Sequence, residues 1–72
     1  MKWFAVVTQG NNNYVGYTFA SEVEARQGVI DEITMLYDTK QVEKATKIND
    51  NVYSLYNNDE MVQLTIRPEV LH

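Results

Sequence analysis

Only one stretch of this chain repeats its apolar residues at helical spacing. Ala25, Val29, Ile33 and Leu36 fall on one stripe, widened by Ile30 and Tyr37. This is the pattern of a helix laid on a core. The remaining apolar runs read with period two, as strands do. A single helix covers only one face of a sheet, so a one-layer sheet here leaves its other face open to solvent or to another molecule.

The helix start is written locally. Ser21 can cap the N-terminus, and Glu24 three residues on completes a capping box. Glu22 and Glu24 in the first turn suit the helix dipole. The helix runs to about Tyr37 or Asp38. Gly28 sits inside it at a cost of about 1 kcal/mol relative to alanine, which a close approach to the sheet would explain.

The strands are read from β-branched and aromatic runs between Gly and Asn turns. Trp3 to Thr8 is the first. It is apolar on both alternating sets, Trp3, Ala5, Val7 and Phe4, Val6, as a strand covered on both faces would be. A turn through Gln9–Asn13 leads into Tyr14–Ala20 and makes a hairpin. After the helix, Val42–Ile48 reads as a charged edge strand, followed by Val52–Tyr56 and Met61–Arg67, with Pro68 ending the last. The expectation is one α+β domain over residues 1–72, in the order ββαβββ: an antiparallel sheet of about five strands with one helix packed on one face.

Composition narrows the functional classes. The chain has 72 residues and no cysteine, and its one histidine is His72. Disulfides are excluded as staples, and a structural zinc site lacks ligands. At this size, burial and chain entropy nearly cancel, which favours a homodimer or stabilisation by a target. The net charge of −4 repels phosphate, so nucleic-acid binding and anionic membranes are disfavoured. The apolar run Trp3–Val7 is shorter than the roughly 7–15 residues of a signal-peptide core. No run reaches the roughly 20 residues of a membrane span. The expected location is cytoplasmic.

No catalytic set emerges. Ser21 is a helix cap, Ser54 lies within a strand, and no base accompanies either. Glu24, Asp31 and Asp38, spaced by seven, share a helix stripe that reads first as a solvated face. Asn49, Asn51 and Glu60 match positions 1, 3 and 12 of a calcium loop, but Ser54 stands where glycine is needed and the segment reads as strand. Gly10, Gly16 and Gly28 are too scattered for a phosphate cradle. No catalytic residue, cofactor or metal is therefore assigned.

Protein binding is what remains. Five tyrosines and one tryptophan are many for this length, and both residue types anchor interfaces. The expected contact residues are Trp3, Tyr14 and Tyr53 on the open sheet face, with Glu24, Asp31 and Asp38 as a second surface. The expected function is a small acidic protein that masks or inhibits another protein, with a homodimer through the open face as a further arrangement. The alternatives are a nucleic-acid module using sheet aromatics and a small subunit of a larger complex. Lys40, Lys44 and Lys47 are the only local basic cluster, with Lys44 and Lys47 on opposite strand faces. In style the chain resembles the small accessory proteins that phages make to inhibit host enzymes or defence systems. No motif carries that likeness, and no residue is assigned from it.

Overall fold

The structure, a computed structural model, describes residues 1–69. His72 lies outside the described residues. The elements follow in the order β1 (Trp3–Gln9), β2 (Asn12–Phe19), α1 (Glu22–Asp38), β3 (Lys44–Asn49), β4 (Val52–Asn57) and β5 (Glu60–Pro68). All strand pairs are antiparallel, and the sheet order is β2-β1-β5-β4-β3. The fold is therefore the α+β ββαβββ arrangement. The last strand enters beside the first, which leaves β2 and β3 as the two edges. No helix of the described residues is long and apolar enough to cross a membrane.

Each turn uses the residue its backbone needs. The β1–β2 connection contracts to Gly10 and Asn11, with Gly10 at φ 60°, the sign that tight hairpin turns demand of a central residue. Pairing therefore begins at Asn12 opposite Gln9, two residues earlier than propensity predicts for asparagine. In the β4–β5 turn Asn58 holds φ 56°, a conformation asparagine tolerates better than most side chains. Val42 does not join a strand. It is buried in the core while its N–H reaches Leu36 O at 3.3 Å, and β3 begins at Lys44.

The helix begins as the sequence indicates. Ser21 is extended, and its Oγ accepts the Glu24 N–H at 3.2 Å. Ala25, Val29 and Ile33 enter the core, with Leu36 packed against it. Ile30 turns outward instead, 42% exposed. The helix crosses β1, β2 and β5. Beneath it lie Ala5 and Val7 of β1 and Leu64 and Ile66 of β5, with Tyr53 and Leu55 of β4 completing the cluster. Gly28 marks the closest approach: a Cβ there would collide with Cε1 and Cζ of the Phe19 ring. This close packing is the reason for a glycine inside the helix.

Asn51 ties the N-terminal end of the helix to the sheet. Its Oδ1 accepts from Arg26 Nε at 2.8 Å, and its Nδ2 donates to Glu22 Oε2 at 3.1 Å. Its carbonyl accepts the Ile66 N–H at 2.7 Å. One turn residue thus joins α1, the β3–β4 turn and β5.

Candidate interaction surfaces

Strand register assigns every side chain to one of two faces, because successive residues alternate. Trp3, Ala5 and Val7 share the helix side with Leu64 and Ile66, their partners or neighbours in register. Phe4, Val6 and Thr8 therefore face the other way. Four rows cross that open face. Thr18, Phe4 and Arg67 form the first, and Val15, Val6, Thr65 and Val52 the second. Asn13, Thr8, Gln63, Ser54 and Thr46 form the third, and Met61, Tyr56 and Lys44 the fourth.

The open face is apolar and hydroxylic, with Val15 and Met61 each 49% exposed. Its charged strand residues are both cations. Lys44 lies over the Tyr56 ring, 5.8 Å from its centroid, while Arg67 belongs to the opposite end row. No carboxylate stands on a strand position of this face. The acids lie elsewhere: Glu22, Glu24, Asp31, Glu32 and Asp38 on the helix, and Glu43, Asp50, Asp59 and Glu69 outside the strands. Glu60 opens β5 on the helix-side alternation.

The three aromatic residues expected on the open face are not there. Trp3, Tyr14 and Tyr53 all belong to the helix side of the sheet. Trp3 is half-buried against the core, and Tyr53 is inside it. Tyr14 is 54% exposed, on the edge strand. The reason is packing. Both sets of β1 are apolar, and the helix rests on the set with Ala5 at its centre, where Ala5 and Ala25 are both fully buried in one core cluster. Phe4 in that place would hold the helix away. The open-face residues Phe4, Val6, Val15, Tyr56 and Met61 were thus missed. The signal was the alternation in β5, where Gln63, Thr65 and Arg67 oppose Val62, Leu64 and Ile66. It orients β1 only once the β1–β5 pairing is known.

The acidic stripe is where the spacing puts it. Glu24, Asp31 and Asp38 are all exposed on the helix, and Gln27 Nε2 donates to Asp31 Oδ1 at 2.9 Å. Beside β2, the Tyr17 hydroxyl is held above its ordinary pKa, first by its hydrogen bond to the Glu32 side chain and then by partial burial. Lys44 and Lys47 do lie on opposite faces. Lys47 bonds Asp50 at 3.0 Å, a hydrogen-bonded pair that raises the lysine pKa and lowers the carboxylate's. The calcium-loop residues are not brought together. Asn49 accepts the Asn51 N–H at 2.8 Å, and Asn51 is engaged by the helix. The length of β4, about 20 Å at 3.3 Å per residue, separates them from Glu60. No known protein family, curated protein or solved structure matches the chain.

Proposed function

We propose that this chain is a non-catalytic, cytoplasmic regulatory protein that masks a surface on another protein by laying its open sheet face against it. The observation that carries the reading is the unequal distribution of charge over the two sides. In a chain of net charge −4, one five-stranded face is free of strand carboxylates and bears Phe4, Val6, Val15, Val52 and Met61 among threonines. Such a surface, with one valine-rich row beside a row of hydroxyl and amide side chains and cations towards opposite ends, fits a partner surface that mixes apolar and hydrogen-bonding groups and is fringed by carboxylates. The helix stripe Glu24, Asp31 and Asp38 offers a second contact of opposite sign. The likeness in style to phage accessory inhibitors makes a host enzyme or defence protein the kind of target to try first.

A second reading rests on the same face. Phe4 and Tyr56 with Arg67 and Lys44 could stack and neutralise single-stranded nucleic acid. A double variant tests the masking surface, and salt dependence tests the second reading. Val15→Glu with Met61→Glu places acids at half-exposed positions of the open face. With the partner first captured by the wild-type chain and then purified, the double variant is expected to bind it at least tenfold more weakly. The triple reversal Glu24→Lys, Asp31→Lys, Asp38→Lys reports the helix contact separately. Oligonucleotide binding that falls steeply between low and moderate salt would transfer the face to the second reading. Partner binding unchanged by the double variant would refute the masking surface.

A further inference from the structure

Two kinds of residue run along the outer side of α1 with the same period. Val23, Ile30 and Tyr37 are spaced by seven, and all three are exposed, Val23 by 73%. Each is followed directly by an exposed acid: Glu24, Asp31 and Asp38. Seven residues are two helical turns to within about 20°, so each set forms a line along the axis. The uncharged Gln27 and Thr34 lie between the two lines on a helix of about 3.6 residues per turn. The core takes the opposite side through Ala25, Val29 and Ile33. Thus α1 has two apolar stripes, and the sheet covers one of them.

Beyond the first turn the fold gains little from these acids. Arg26 is the only cation of α1, and it is held by Glu22 at 3.4 Å and by Asn51. Among the described residues no ion pair reaches Glu24, Asp31 or Asp38. Glu24 suits the helix N-terminus. Asp38 closes the helix at the negative end of its dipole, and the last turn holds no cation. An acid there opposes the helix that carries it. An acidic line continued to this end, beside an exposed apolar line, complements a partner that brings cations and apolar groups at the same repeat.

We propose that the outer face of α1 docks a basic amphipathic helix of another protein. Its apolar residues would sit on Val23, Ile30 and Tyr37, with its lysines or arginines beside Glu24, Asp31 and Asp38. The repeat selects a helix. Successive sites on α1 lie about 10.5 Å apart, at about 1.5 Å per residue. A second helix crossing at about 20° keeps a seven-residue repeat in step with that spacing. An extended strand covers the distance in about three residues, which turns alternate side chains away. A second copy of this chain is not the occupant, because it would set acid against acid between two chains of charge −4. The site gives a partner chemistry to the helix contact proposed above, and it is independent of the open face on the other side of the sheet.

The probe is a synthetic three-heptad peptide with leucine at a and d, lysine at e and g, and alanine elsewhere. Its lysines keep it from pairing with itself. Binding to the full chain is read by anisotropy of the labelled peptide and by amide chemical shifts. The wild type is expected to bind it at least tenfold more tightly than a scrambled peptide of equal composition, with the largest shifts on α1. Val23→Gln with Ile30→Gln, which leaves the charge unchanged, is expected to weaken binding at least tenfold. Glu24→Gln with Asp31→Asn and Asp38→Asn is expected to weaken it as much and to flatten its salt dependence. Val15→Glu with Met61→Glu, on the open face, is expected to bind the peptide no more weakly than the wild type, so failure of the masking surface leaves this site intact. The scrambled comparison uses the wild-type chain alone, so it decides even where a variant fails to fold. Equal binding of the scrambled peptide, no binding of the periodic one, or largest shifts on the open face would overturn the proposal. So would a folded Val23 and Ile30 double variant that binds like the wild type.

Discussion

Lys40 holds a backbone conformation that its own side chain opposes. The helix ends in a double closure: the Lys40 N–H donates to Tyr37 O at 3.0 Å, and the Gln41 N–H to Leu36 O at 2.8 Å. This is the Schellman arrangement, whose pivot residue sits in the left-handed region and is usually glycine. Here the pivot is Lys40 at φ 59°. Thr39 adds a hydroxyl bond to Met35 O at 2.9 Å, so the closure is well supported around a strained residue. Lys40→Gly is expected to stabilise the fold by about 1 kcal/mol, since relief of the left-handed penalty outweighs the added freedom of the unfolded chain. Thermal melting would show a midpoint several degrees higher. A lowered midpoint would mean that the lysine side chain makes a contact worth more than the strain.

Among the elements, α1 and β2 meet at a point that tolerates no added methyl, where Gly28 faces the Phe19 ring. A helix-interior glycine replaced by alanine ordinarily adds about 1 kcal/mol of stability. At position 28 the new methyl would meet the Phe19 ring. Overpacking of that kind costs about 1–3 kcal/mol. Gly28→Ala is therefore expected to leave the protein less stable, by up to about 2 kcal/mol, with the loss read by urea denaturation. A gain in stability would show that Phe19 can swing aside, as an aromatic ring at the end of an edge strand is placed to do. Gly16 has a related constraint, since a Cβ there would lie 2.8 Å from Val7 Cγ2. The β2 strand is thus held against β1 by one glycine and against the helix by another.

For the whole molecule, strand order decides which parts are most secure. β1 and β5 are flanked on both sides and lie under the helix, whereas β3 has one neighbour and charged, exposed residues. Amide exchange is expected to be slowest at Ala5, Val7, Leu64 and Ile66 and fast along β3. Helix amides that outlast those of β5 would show that the sheet is not the stable centre. The same strand order produces the open face. It aligns Val15, Val6, Thr65 and Val52 from distant parts of the chain into one row. A surface assembled from β2, β1, β5 and β4 exists only in the folded chain.

The sequence by itself determined the elements and their order. Apolar periodicity marks the helix, its cap is a local signal at Ser21 and Glu24, and Gly and Asn punctuate the hairpins. These are short-range effects, carried by residues within a few positions of one another. It also determined the exposed acidic stripe, because spacing along one helix needs no partner. Only the tertiary structure decided which face of β1 meets the helix. Both of its alternating sets are apolar, so the choice waits on β5 pairing and on the core that Ala5 and Val7 join with Ala25, Val29 and Ile33 of the helix. That choice buried Tyr53, half-buried Trp3 and left Tyr14 on an edge, and it brought Phe4, Val6 and Met61 to the open face. A local pattern can say that a strand has two faces, but long-range pairing and close packing select the one that is covered.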